Sequence, residues 1–252
     1  MIKKILVVVA HPDDEVFRPG GTIAKYASRE VEIHIISATR GESGQWHEDS
    51  KKKHSTTANQ EEIKISHVRE KELRNSAKVL GVKQIDFLDF MDGELCNNVY
   101  HKIADKIITK INDYKPQVII TMDRLGVSGH LDHIAVSMIT TFAFLKTTIP
   151  KKLYYEVMFS KHRQAEKRLD DYFIYFPEGY GKKEITTTID YSEYYEKKKE
   201  AMWQHQSQLK DVLNILKSLT NRPKEDYFIL GQSRDVKVKL PENDLFAGIN
   251  LD

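Results

Sequence analysis

The feature that most constrains the fold is an alternation. Over the first two-thirds of the chain, short apolar runs of strand length are separated by stretches with helical periodicity. The strand candidates are Ile5 to Ala10, Val31 to Ala38, Ile85 to Phe90 and Val118 to Met122. This order predicts parallel strands joined by crossover helices, an α/β, Rossmann-like three-layer fold with a mainly parallel central sheet. Tyr100, Ile103, Ala104, Ile107, Ile108 and Ile111 recur at helical spacing and predict one buried stripe. That helix should end before Lys115-Pro116, because proline disfavours helical geometry in the residue before it. A second helix is expected from Val68 to Leu80, stopped by Gly81, and a third from His133 to Leu145.

After Pro150 the pattern changes to β-like pieces, Leu153 to Phe159, Tyr172 to Phe176 and Ile185 to Ile189. A long helix then follows with Leu209, Val212, Leu213 and Leu216 on one face. The segment from Gln45 to His67 is polar, lysine-rich and aperiodic, and reads as a long surface excursion of the lid type. The 252 residues fit one domain, with 1–150 as the Rossmann-like core and 151–252 as a C-terminal extension of it.

Composition narrows the function classes. The 39 basic and 37 acidic residues nearly cancel, so no polybasic face is expected and nucleic acid is not implied. Cys96 is the only cysteine, which excludes an internal disulfide and a cysteine-rich metal cluster, and makes a reducing cytoplasm the simplest location. Lys3 and Lys4 before Ile5 to Ala10 imitate a secretion signal, but the run is short and ends in charge at His11-Pro12-Asp13-Asp14. No other stretch is long enough to span a bilayer.

In an open parallel sheet, ligands bind outside the carboxyl ends of the strands, so the residues just after each candidate strand carry the most information. Those are His11-Pro12-Asp13-Asp14-Glu15, then Gly41-Glu42-Ser43-Gly44, Asp92-Gly93, and Asp123 followed by His130-Leu131-Asp132-His133. A catalytic zinc takes three nitrogen or oxygen ligands and leaves one position for water. Two histidines and a carboxylate fit that pattern. His11 and Asp14 are three apart, as are His130 and His133, and Asp13 is a spare carboxylate able to accept a proton from water. Taken alone, Asp13, Asp14 and Glu15 read as helix N-capping and dipole compensation. Two His/Asp-rich turns at the ends of two central strands have no such structural explanation. His34, His47, His54, His67, His101, His162 and His205 are read as packing or surface residues.

The run Ala10-His11-Pro12-Asp13-Asp14-Glu15, joined to Gly129-His130-Leu131-Asp132-His133, resembles the PIG-L/LmbE-like deacetylase family. That family includes the N-acetylglucosaminyl-phosphatidylinositol deacetylases and the bacterial deacetylases of mycothiol and bacillithiol synthesis. Gly20-Gly21-Thr22, Gly41 to Gly44, Arg69 with Glu72, Asp92-Gly93 and His205-Gln206-Ser207-Gln208 extend the likeness. The resemblance implies zinc on His11, Asp14 and His133, with Asp13 as general base. It also implies His130 as the group that holds the oxyanion or protonates the amine, with Asp132 orienting it. An N-acetylated sugar or sugar conjugate is the implied substrate. Relatives of this kind often form homo-oligomers, and the C-terminal β pieces would offer an interface.

Several points stay open in the sequence. Arg69 is expected either to face the crevice and contact a polar substrate group or to form a surface ion pair with Glu70 or Glu72. Glu15 supports the metal loop or compensates a helix dipole. Leu131 stands where the family usually has proline, and Phe17-Arg18-Pro19 replaces smaller residues, with Arg18 either exposed or at the pocket entrance. Val127-Ser128 offers no tyrosine at the position where some relatives carry a mobile one. Fe(II) suits the same ligand set as zinc. The competing functions are an amidase acting on a thiol conjugate and a non-catalytic metal-binding or nucleotide-binding module. The last is weakened by the absence of Gly-x-Gly-x-x-Gly after the first strand and by the presence of Asp13.

Overall fold

A computed structural model describes residues 2–45, 64–165 and 177–250. Most of the Gln45 to His67 excursion, including His47 and His54, and the predicted strand Tyr172 to Phe176 lie outside the described residues.

The apolar runs form strands because a parallel sheet buries both faces and so needs near-continuous Val, Ile and Leu. β1 (Lys4–Val9) pairs in parallel with β2 (Glu32–Ser37) on one side and β4 (Val118–Met122) on the other. Its Ile5, Leu6, Val7, Val8 and Val9 are all fully buried. β3 (Gln84–Phe87) adds to β2, and β5 (Lys152–Glu156) adds to β4, also in parallel. The sheet closes with β6 (Thr187–Asp190) and β7 (Glu225–Ser233) in the order β3-β2-β1-β4-β5-β7-β6, with β7 antiparallel to both neighbours. The mainly parallel, Rossmann-like sheet expected from the sequence is therefore present. The chain turns opposite ways from β1 and β4, which leaves a crevice above their carboxyl ends.

Helices cover the two faces. α1 (Asp14–Phe17) and α2 (Gly20–Ala27) follow β1, and α3 (Ile65–Leu80) precedes β3, ending at Gly81 in a left-handed cap as expected. α4 (Tyr100–Tyr114) and α5 (Leu131–Lys146) flank β4. α6 (Tyr195–Met202) and α7 (Leu209–Leu219) lie between β6 and β7. One apolar core runs from Ile5 to Phe246.

Several expectations need correction. In α4, Ile103, Ala104, Ile107 and Ile111 are buried, but Tyr100 is 47% exposed and stacks edge-on against Phe142. The C-terminal helix expected around Leu209, Val212, Leu213 and Leu216 is α7, but Leu213 faces solvent instead of sharing a buried face. β3 stops at Phe87 rather than Phe90, and β5 at Glu156 rather than Phe159. The longest strand, β7, was not anticipated. Its inward positions include buried Asp226 beside buried Phe228, and a charge on the core face breaks the alternation that reveals a strand.

Candidate active site

At the end of β1, Asp13 takes φ 108°, a left-handed conformation that costs a non-glycine residue on the order of 1–3 kcal/mol. The turn holds because Glu15 Oε2 accepts the Asp13 main-chain N–H at 2.9 Å. Glu15 is fully buried, and its Oε1 accepts from Ser76 Oγ at 2.7 Å and lies 2.8 Å from His205 Nε2. Glu15 thus supports the loop, and His205, read from the sequence as a packing residue, belongs to the support. No side-chain cap bond comes from Asp13. N-capping does not explain it.

The turn brings His11 and Asp14 against His133 of α5. His11 Nδ1 lies 3.2 Å from His133 Nε2 and 3.6 Å from Asp14 Oδ2, and His133 Nε2 lies 3.3 Å from Asp14 Oδ1. Donors around a tetrahedral zinc at its usual bond lengths stand about 3.3–3.6 Å apart, and these pairwise approaches are of that order, with each Asp14 oxygen facing one imidazole. The remaining ring nitrogens are anchored. His133 Nδ1 donates to the Gly126 carbonyl at 3.0 Å, which leaves Nε2 as a lone pair. His11 Nε2 faces Asp92 Oδ1 at 2.9 Å and Asp132 Oδ2 at 3.3 Å. His11, Asp92 and Asp132 also bring three ligand atoms within 4.8 Å of one another, as do His11, His130 and His133. In the Asp92 and Asp132 set the carboxylates already accept main-chain N–H groups. Asp132 takes those of Gly93 at 2.7 Å and Leu95 at 3.0 Å, and Asp92 takes that of Ser43 at 3.1 Å. Asp14 Oδ2 likewise accepts the His11 main-chain N–H at 2.8 Å, so what sets Asp92 and Asp132 apart is that they face His11 Nε2, as acceptors that hold an imidazole N–H do.

Electrostatics favour a cation here. Burial would raise the Asp14 carboxyl, but His133 and His11 beside it hold it well below the usual range. Burial would likewise depress His11, yet Asp132, Asp14 and Asp92 raise it well above an ordinary imidazole. His133 goes the other way, to about 4, because burial outweighs Asp14, so its ring is neutral.

Asp13 is pushed up to about 7, by burial first, against the opposing pull of Arg69 and with the help of Asp14. A carboxylate poised there can take and return a proton at neutral pH. Arg69 is neither on the surface nor paired with Glu70 or Glu72. Its Nη2 donates to Asp13 Oδ2 at 3.1 Å and to the Pro12 carbonyl at 2.7 Å, and its Nη1 donates to the Gly41 carbonyl at 3.1 Å. Gly41 has φ 72°, and a Cβ there would collide with the guanidinium. Glu72 instead binds Ser207, accepting its N–H at 2.7 Å and its hydroxyl at 2.6 Å.

His130 is the N-cap of α5. Its Nδ1 accepts the Asp132 main-chain N–H at 3.2 Å, so the proton of a neutral ring sits on Nε2. The Asp132 carboxylate is turned to His11 and does not orient His130 as the resemblance implied; only its N–H does. Asp123 organises the loop before α5, accepting from Leu125 N at 2.6 Å and Tyr180 Oη at 3.4 Å.

These groups line a cleft of about 350 Å³, the small end of the range for small-molecule sites. Arg18 is half-buried in its wall, with Nη1 at 3.3 Å from Met158 Sδ, and is not the exposed arginine considered above. Ser128 stands where a tyrosine was sought, and no tyrosine lines the cleft among the described residues. Sequence reasoning assigned no role to Asp92, although its place just after β3 was a signal. It missed Glu156, Asp211 and Ile215, which also line the cleft, as does Gln208 of the late motif. Glu156 closes β5, but the predicted strand ran on to Phe159 and hid it.

A parallel sheet with buried histidines and carboxylates at the ends of its central strands, beside a carboxylate free to act as base, defines a hydrolase of the metal-dependent type. The chain belongs to the PIG-L family, whose model, described as GlcNAc-PI de-N-acetylase, matches residues 6–144. A relative from Actinosynnema mirum, named 1D-myo-inositol 2-acetamido-2-deoxy-alpha-D-glucopyranoside deacetylase, is 32% identical over 82% of this chain and 81% of its own. The mycothiol S-conjugate amidase of Streptomyces coelicolor is 29% identical over 98% of this chain and 97% of its own. In fold, the chain is similar to the N,N'-diacetylchitobiose deacetylase of Pyrococcus horikoshii, with TM-score 0.66 and 19% identity over 90% and 82% of the two chains. It is equally similar to the 4-carboxy-2-hydroxymuconate hydratase of Pseudomonas putida, with TM-score 0.67 and 17% identity over 94% and 100%. The fold by itself does not choose between such chemistries. Among the described residues no helix is long and apolar enough to cross a membrane.

Proposed function

We propose that this chain removes the acetyl group from the nitrogen of an N-acetylglucosamine-type sugar or sugar conjugate, with a zinc-type ion held by His11, Asp14 and His133. The observation that carries this reading is the close approach of His11, Asp14 and His133, with Asp13, a buried carboxylate outside the ligand set, next to Asp14 in the chain. A divalent ion held by those three residues supplies Lewis-acid polarisation of the amide carbonyl and acidifies a bound water.

The chain's own residues do the rest. Arg69 engages Asp13 Oδ2 and leaves Oδ1 to receive the proton of the attacking water. His130 offers its Nε2–H as a hydrogen bond to the carbonyl oxygen as charge develops, and the proton taken up by Asp13 is returned to the departing amine. Asp92 and Asp132 hold His11 in the orientation that points Nδ1 at Asp14 and His133. Arg69 acts here mainly by positioning Asp13, since its Nη groups are committed. Its buried Nε, without a hydrogen-bond partner, is the atom left for a substrate oxygen. Residues 1–252 act as one domain in this reading.

A second reading, amide cleavage in a thiol conjugate, is supported by the nearly full-length similarity to the Streptomyces amidase. It uses the same residues and differs only in what the cleft accepts.

Purified protein is expected to carry about one zinc-type or iron(II) ion per chain, identified by elemental analysis. It should release free amine from members of an N-acetylated sugar panel and less from thiol-conjugate amides. Asp14→Ala should lose the metal. Asp13→Ala should keep it and lose about 10²–10⁴-fold in rate. Unchanged metal in Asp14→Ala and His133→Ala would sink the ligand set, and a folded, metal-loaded protein inert to every amide would sink the deacetylase reading.

A further inference from the structure

The family match ends at residue 144, and so do the metal and base assignments. The cleft does not. Glu156, Gln208, Asp211 and Ile215, all from the C-terminal extension, complete its wall. Among them Glu156 is chemically out of place. It is 3% exposed, it lines the cleft and a smaller cavity of about 40 Å³ behind it, and its Oε2 finds no hydrogen-bond partner among the described residues.

Four other buried carboxylates use both oxygens. Glu15 takes Ser76 and His205 on one and the Asp13 N–H on the other. Glu72 takes the N–H and hydroxyl of Ser207. Glu242 takes Lys152 and Tyr154, and Asp226 takes Lys198 and Thr22. A buried carboxyl oxygen without a partner costs on the order of 1–3 kcal/mol, so its retention in a cleft wall calls for a ligand that satisfies it.

We propose that Glu156 is a specificity-determining residue that hydrogen-bonds a ring hydroxyl of the sugar from the C-terminal end of β5. The inference rests on the deacetylase reading for the identity of the sugar, but on the cleft geometry for the contact. An acetyl methyl offers a carboxyl nothing, and Phe17, Met122, Val127 and Ile215 already supply apolar surface for it. A hydroxyl both donates and accepts. Burial, reinforced by Asp14 and opposed by Arg18, pushes the Glu156 carboxyl well above the usual range, which favours the form that can donate as well as accept. The contact lies on the strand next to β4, beside the reacting groups. It would therefore select the sugar without entering the proton transfers.

The test uses the full-length, metal-loaded protein and two substrates of similar ring size, methyl N-acetylglucosaminide and N-acetylcyclohexylamine, which has no ring hydroxyls. Binding is measured by calorimetry and turnover by amine release. Glu156→Leu should weaken sugar binding and raise its KM about 10- to 100-fold with kcat little changed, and leave the cyclohexyl compound unaffected. Glu156→Gln, which keeps a donor and an acceptor, should restore most of the loss and serves if the leucine variant misfolds. Equal effects on both compounds, or none in a folded variant, would overturn the proposal. If the wild type binds the sugar through Glu156 without releasing amine, the contact stands and the deacetylase reading falls. If it releases amine regardless of residue 156, the reverse holds.

Discussion

Around His11 the buried carboxylates of Asp14, Asp92 and Asp132 outnumber the cationic groups that face them, whereas in the C-terminal extension each buried cation meets one carboxylate. Lys152 Nζ donates to Glu242 Oε1 at 2.6 Å while Tyr154 Oη donates to Glu242 Oε2 at 2.6 Å. Lys198 Nζ donates to Asp226 Oδ1 at 3.2 Å and to the Arg18 carbonyl at 2.8 Å, and Asp226 Oδ2 takes both Thr22 donors at 2.8 Å. The first arrangement is incomplete, and in the proposed reading a divalent ion completes it. The second is closed and ties the extension to the core. Buried charge marks function where it is unbalanced, and architecture where it is balanced.

Breaking a balanced pair should have the largest effect on stability. Lys152→Met leaves Glu242 buried without its cation and is expected to cost about 3–5 kcal/mol in urea unfolding, with the metal content and KM of the folded fraction unchanged. The double variant Lys152→Met/Glu242→Leu should recover much of that cost. A single-variant loss below about 1 kcal/mol would show that the pair does not hold the extension together.

Asp92→Asn sharpens the other side of the contrast. If Asp92 only holds His11, titration should show metal binding about 10- to 100-fold weaker but still stoichiometric at saturation. Loss of metal as complete as in Asp14→Ala would instead make Asp92 a ligand.

The smallest effect is expected from Ser76→Ala, which removes one of three donors to Glu15. Stability should fall by about 1 kcal/mol, with kcat lowered and KM unchanged, because Glu15 acts on the Asp13 turn and not on substrate. A change in KM alone would place Glu15 in a different role.

Much of this was legible in the chain. β4 occupies the run expected for it, and β1 and β2 each differ from theirs by one residue at either end, because a strand buried on both faces writes a continuous apolar run. His11, Asp13, Asp14, His130 and His133 were legible because they follow β1 and β4, and strand ends are where such sheets bind ligands. Glu156 and β7 were not, for related reasons. The apolar run Val157-Met158-Phe159 past Glu156 imitated a longer strand, and Asp226 broke the alternation of β7 from within.

The sequence alone determined the element types, the order of the first four strands and the two motifs whose residues suit a metal and a base, since these depend on local periodicity and on chemistry carried within a few residues. The tertiary structure decided what depends on distant chain segments meeting. It turned Arg69 from a surface or substrate-facing residue into the partner of Asp13, moved the Asp132 carboxylate to His11, and brought His205 to Glu15 across 190 residues. Spacing records which residues share a turn. Which of them share a buried charge balance is set only when the sheet and its C-terminal extension close around them.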